Sequence, residues 1–218
     1  MTKFERIQMV KALGLNTEDC ILVTDASQLK HNAFIDQYDE FSIRTQWADG
    51  NEQRPTPHVE VISKEKLVRT STQLLKSGLH LLIKDCIDSK DGLFCGAALK
   101  RKNVITFEIA VGPVTVRTVT HKGIIDIQVE MTSAYNCRDF SSYWPPLLAL
   151  QYMYNNMASV PIDNVIFEFS WYKYSIGWKN ERFICWEITK SGYDSIYNLT
   201  PTGRQYNTLL WDRYNTTI

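Results

Sequence analysis

The chain has 218 residues, 44% apolar and 12% aromatic, enough to bury a substantial core, so extended disorder is excluded outside the last dozen residues. Twenty-four Lys and Arg balance twenty-four Asp and Glu, and zero net charge provides no global field toward nucleic acid or an anionic membrane. The N-terminal MTKFERIQMVKALGL carries charges in every turn instead of an apolar signal region, and no later stretch approaches a membrane span, so a soluble, cytoplasmic protein is expected.

Phe4, Ile7, Val10 and Leu13 recur at helical spacing, with Gly14 as a stop. CILVT (20–24) reads as a short strand, and 25–38 as a second helix capped by Asp25 or Ser27. In FSIRTQW (41–47), Phe41, Ile43, Thr45 and Trp47 alternate with Ser42, Arg44 and Gln46, which predicts a two-faced strand. The Gly/Pro-rich loop ADGNEQRPTP, too long for a tight hairpin, delivers His58 to the strand HVEVI. Ser63 then caps a helix carrying Leu67, Val68, Leu74 and Leu75 on one face, ended by Gly78.

From Leu79 the pattern is strand after strand: LHLLIKDCI, GLFCGAAL, VITFEIAV, TVRTVT and GIIDIQVEM. Pro145–Pro146 opens a helix limited by Pro161. NVIFEFSWY (164–172) and ERFICWEIT (181–189) are expected to form an antiparallel pair connected around Gly177. The fold class is therefore α+β with a large, mostly antiparallel sheet. One domain over 1–218 is expected, with a small lobe at approximately 15–78, a large lobe at approximately 79–190 and a C-terminal extension at 191–218.

Charges inside apolar strands must be exposed, paired or met by a ligand. Four stand out: Arg44, Arg117, Glu168 and Glu187. Two guanidiniums suit phosphate oxygens and two carboxylates suit a divalent ion, the minimum for holding a nucleoside triphosphate. Strict alternation groups Glu168 with Ile166 and Ser170, and Glu187 with Phe183 and Cys185. As exposed edge-strand charges, all four would be no more than solvated side chains.

Other motifs are missing. IKDCIDSKDG lacks the Lys-x-Asp-Gly spacing of the nucleotidyltransferases that ligate nucleic acid, and no GxGxxG or Walker-type loop is present. The histidines (His31, His58, His80 and His121) and the five cysteines show no metal spacing, and the cysteines suit reduced, buried thiols. The sequons at Asn198 and Asn215 have no meaning without secretion.

FSIRT, LLIKDCID, IFEFSWY and ICWEIT together resemble motifs of the ATP-grasp nucleotide-binding fold, in particular the ATP-binding part of phosphoenolpyruvate synthase and its relatives. The resemblance spans roughly residues 15–190. It implies a two-lobed domain binding ATP and Mg2+ between the lobes. In it Arg44 contacts ATP phosphates, and Lys84 and Asp85 lie on the hinge strand at the adenine edge. From the residues themselves, Arg117 inside TVRTVT joins Arg44 as the second phosphate-holding, catalytic candidate, and His58, at a strand entrance after the long loop, is added to the nucleotide-binding candidates Arg44, Lys84, Asp85 and Arg117. Glu168 and Glu187 take the metal positions.

Two departures stand beside the match. Thr189 occupies the place of a metal-binding asparagine, and ADGNEQRPTP stands where the family has a glycine-rich phosphate loop. Only about fourteen residues precede the first strand, where the family's substrate domain usually lies, so a ligase or phosphotransferase of this kind would take its acceptor from a protein partner. The alternatives are a non-catalytic module that binds or sequesters a nucleotide, and a structural interaction domain whose Tyr- and Trp-rich C-terminal part meets another protein. A nucleotide is the expected ligand, with no membrane and no nucleic acid as partners.

Overall fold

The computed structural model describes residues 2–49, 56–116, 119, 123–132 and 145–190. The chain divides into two compact units, one formed by Met1–Gln8 with Glu18–Asp88, the other by Met9–Thr17 with the chain from Ser89 onward. Each contains one antiparallel sheet, which places the protein in the expected α+β class. The initial helix α1 (Lys3–Ala12) contributes to both, and Gly14, at φ +74°, follows it.

In the first unit, β1 (Cys20–Val23), β2 (Glu40–Trp47), β3 (His58–Ser63) and β4 (Leu79–Asp85) are ordered β1-β4-β2-β3. The single helix expected over 25–38 is instead two short pieces, a 3-10 turn at Ala26–Leu29 and α2 at Ala33–Gln37. Local capping divides them. Asp25 and Gln28 close a capping box around the first, and Asn32 accepts from Phe34 N–H to start the second. Helix α3 (Lys64–Lys76) begins after Ser63, but its hydroxyl makes no capping bond; the Lys64 N–H donates to the Asp39 carbonyl at 2.8 Å. Phe41, Ile43, Leu81 and Ile83 lie on the sheet face that forms the core with Leu67 and Leu29.

The second unit holds β5 (Gly92–Arg101), β6 (Val104–Val111), β7 (Ile127–Thr132), β8 (Val165–Ile176) and β9 (Glu181–Lys190), ordered β7-β6-β5-β8-β9. Helix α4 (Pro145–Ala158) covers one face, where Leu150, Met153 and Met157 meet Phe107, Phe167, Phe169, Phe183 and Ile188. Lys100, 4% exposed, donates from Nζ to the carbonyls of Ala158 and Val160, placing a cation at the negative end of α4. On the opposite face Ala97, Leu99, Ala110 and Ile166 meet Val114, Val119 and Ile125. The strand expected from TVRTVT is not formed as such: Val116 and Val119 have helical backbone, and Arg117 lies outside the described residues.

Asn16, 1% exposed, locks the β8–β9 hairpin. Its Nδ2 donates to the carbonyls of Ile176 and Phe183 at 2.8 and 2.7 Å, and its Oδ1 accepts from Lys179 N–H at 3.0 Å. Its own carbonyl accepts from Cys185 N–H at 2.8 Å. Asn16→Ala strands the buried Phe183 carbonyl and the part-buried Ile176 carbonyl and Lys179 N–H; a buried group left unpaired costs about 1–3 kcal/mol, and the partly exposed ones less. Urea denaturation is expected to show a loss of roughly 2–4 kcal/mol, and a variant within about 0.5 kcal/mol of wild type would show that water replaces the side chain at no cost.

Candidate functional site

Antiparallel partners directly opposite one another project to the same face, so register assigns each residue of interest to a side. In the first sheet Arg44 faces His58 on β3 and Leu82 on β4, Ser42 faces Lys84, and Gln46 faces His80. Arg44, His58 and Lys84 therefore share one face, together with His80, which the sequence reading had not selected. Arg44 and His58 are exposed, and His58 Nε2 lies 3.8 Å from Glu60 Oε1. The Oε1 of Gln46 on this same face is buried and accepts no hydrogen bond.

Asp85 belongs to the other side. It is the partner of Phe41, next to the apolar core, so Lys84 and Asp85, expected together at the adenine edge, are divided between the two faces of β4. Burial, then the nearby charges of Glu18 and Asp19, push the Asp85 carboxyl up to about 7, against the opposing effect of Lys84. Its Oδ1 is buried without a hydrogen bond, while its N–H donates to the Asp19 carbonyl at 3.2 Å. Tyr38 donates to Asp19 Oδ2 at 3.2 Å, and burial with the charges of Asp19 and Asp85 pushes its phenol up to about 12. Glu18 is also missing from the sequence reading. Both of its oxygens accept from Lys84 Nζ, at 2.7 and 2.6 Å.

In the second sheet β8 and β9 are adjacent and antiparallel, and Glu168 is directly opposite Glu187. The successive partners Gln128, Glu108, Ala97, Glu168 and Glu187 form one row across all five strands, with their side chains on the face away from α4. Strict alternation assigned Phe183 and Cys185 to the face of Glu187, and this is overturned. Cys185 pairs with Phe169 while Glu187 pairs with Glu168, so Trp186 is an extra residue on β9, a β-bulge that reverses the alternation. Phe183 and Cys185 stay in the core under α4, and Glu187 emerges on the side of Glu168. Trp186 Nε1 donates to Ser170 Oγ at 2.7 Å, tying the bulge to β8.

Glu108 is a further carboxylate in this row, 4% exposed and accepting from Gln128 Nε2 at 3.1 Å. Its signal was present in the sequence, since VITFEIAV places a charge inside an apolar strand as IFEFSWY does. Thr189 lies opposite Ile166, on the same face as Glu187. Among the described residues no three or more His, Cys, Asp or Glu come together as a metal site. Cys95 and Cys185 are buried thiols raised by desolvation, Cys95 to about 12, and none of the four described cysteines is in a disulfide. No helix among the described residues is long and apolar enough to cross a membrane.

No family model and no curated protein matches the chain. Solved structures similar to it include the macrocyclase MdnC of Microcystis aeruginosa bound with its precursor peptide MdnA, at 14% identity over 85% of this chain and 51% of that one, with a TM-score of 0.46. N5-carboxyaminoimidazole synthetase of Staphylococcus aureus gives 12% identity over 89% and 45%, with a TM-score of 0.49. The ATP-grasp ligase PsnB, complexed with a minimal precursor, gives 9% over 98% and 60%, with a TM-score of 0.46. The chain spans 45–60% of the length of these three solved chains. Likenesses at this level assign no residue a role.

The Asp85 carboxyl provides a test of the first unit. Its folded-state pKa of about 7 lies above the ordinary aspartate value of 3.8, so the folded state binds more protons than the unfolded state in that window, and stability falls as pH rises through it. Asp85→Asn removes this loss. Its stability advantage over wild type should grow between pH 5 and pH 8, reaching on the order of 2–4 kcal/mol at pH 8. Parallel stability curves for the two proteins would place the Asp85 carboxyl in water.

Proposed function

We propose that this chain is an ATP-grasp-like protein that binds ATP together with magnesium and acts as an ATP-dependent ligase or phosphotransferase on an acceptor brought by a protein partner. The observation that carries the proposal is the direct opposition of Glu168 and Glu187 on one face of the second sheet. Like charges directly opposite destabilise an antiparallel pair, and a hard divalent cation relieves the repulsion. Magnesium is commonly held by one or two carboxylates, with phosphate oxygens and water completing an octahedron, so two glutamates are a sufficient protein share. When bound there it would neutralise phosphate charge.

Arg44 would contact phosphate oxygens, as the resemblance to the ATP-binding part of phosphoenolpyruvate synthase implies, and Arg117 would supply a second guanidinium. His58 and Lys84 would add donors on the same face as Arg44. The unmatched Gln46 Oε1 supports a ligand there that carries a donor group. Asp85, on the other face of β4, would serve the adenine edge only from the strand's end.

A second reading, a binding module without turnover, is favoured by Thr189, which occupies the metal-binding asparagine's place on the Glu187 face. A hydrolysis assay with and without cell extract separates the two, because turnover in either condition removes the second reading.

The ligand itself is tested by thermal denaturation with millimolar MgATP. A ligand that binds only the folded state raises Tm by mass action. Arg44→Ala should reduce the shift far more than Arg101→Ala, which changes an exposed side chain at the end of β5. Glu168→Gln or Glu187→Gln should remove the magnesium dependence of the shift and leave the ligand-free Tm equal or higher. Wild type without any shift would end the proposal.

A further inference from the structure

We infer that Glu18 is the positioning residue for Lys84, holding its ammonium in the place where a nucleotide is met. This rests on the nucleotide-binding function proposed above. Glu18 lies two residues before Cys20, the register partner of Lys84 across β1 and β4, so its side chain reaches the face that carries Lys84. Asp19, the next residue, goes with Asp85 and Tyr38 instead. Alternation thus sorts this acidic corner into one carboxylate for Lys84 and one for the buried side of the strand.

The pair is tight and dry. Glu18 and Lys84 side chains are 4% and 12% exposed, and both carboxylate oxygens accept from Nζ. Stability alone is a poor reason for such a pair, because the desolvation of two charges offsets most of their attraction and an apolar pair of equal volume serves as well. What the carboxylate does achieve is restriction. A lysine ammonium sits on a flexible four-carbon stem, and a two-oxygen grip selects one placement from its many rotamers. That placement is on the sheet face of Arg44 and His58, the other nucleotide-binding candidates of the first unit. A preorganised cation binds an anion without the ordering cost that a free lysine would incur at the moment of binding.

Calorimetric titration of the full chain with MgATP tests the assignment in wild type, Glu18→Asp, Glu18→Gln, Lys84→Met and the double variant Glu18→Gln/Lys84→Met. Glu18→Asp keeps the charge pair but draws the ammonium back by one methylene. It should weaken ATP binding about tenfold, the equivalent of one charge-assisted hydrogen bond. Lys84→Met should lose at least as much, and the double variant should be no weaker than Lys84→Met alone, since Glu18 acts only through Lys84. The double variant leaves no stranded charge, so the comparison survives if Glu18→Gln by itself does not fold. If Glu18 has only a structural role, Glu18→Asp lowers Tm but keeps the wild-type Kd. That result, or losses that multiply in the double variant, overturns the assignment while nucleotide binding stands. Absence of ATP binding by wild type overturns both.

Discussion

The candidate metal site depends on one extra residue in one strand. Without the bulge at Trp186, the period-two alternation of β9 would send Glu187 into the core with Phe183 and Cys185, burying a carboxylate among Phe167, Phe169 and the methionines of α4. With it, Phe183, Cys185 and Ile188 remain inside and two carboxylates emerge opposite one another. The bulge is fixed from several directions: Cys185 N–H is held by the Asn16 carbonyl, Trp186 Nε1 by Ser170 Oγ, and the hairpin beyond it by the Asn16 side chain. A residue before the first strand thereby sets the geometry of the last hairpin, although more than 160 positions separate them.

Close backbone approach shapes the same sheet from its centre. A Cβ on Gly96 would overlap the Glu108 carbonyl oxygen across β5 and β6, so a side chain there would force the two strands apart. Ala97, the next residue, is the small member of the row between Glu108 and Glu168. Small residues on the central strand let a line of polar side chains cross a sheet whose other face is densely aromatic.

The first sheet separates its functions by alternation. One face of β2 and β4 carries Arg44, His80 and Lys84, and the other carries Phe41, Ile43 and Ile83. Asp85 is the exception, an acid at the edge of the apolar side whose charge is suppressed by burial and by its acidic neighbours. Glu18, by contrast, is buried beside an ammonium. Two carboxylates of one acidic corner thus have opposite electrostatic settings, because one shares its face with Lys84 and the other does not.

Much of this was legible in the residues themselves. Alternation in FSIRTQW determined the two faces of β2, glycines at Gly14 and Gly78 marked helix ends at positive φ, and isolated charges in IFEFSWY and ICWEIT marked Glu168 and Glu187. These are local signals, set by side-chain sterics and the cost of burying charge within a few residues. The division of residues 25–38 into two capped pieces was local too, but competing caps at Asp25 and Asn32 decided it. Tertiary structure alone decided the Trp186 bulge, the pairing of Glu18 with Lys84, and the row joining Glu108 to Glu187. Each depends on strand register, and register is chosen by contacts between segments far apart in the chain, for which a one-residue slip changes every face while leaving the local pattern untouched.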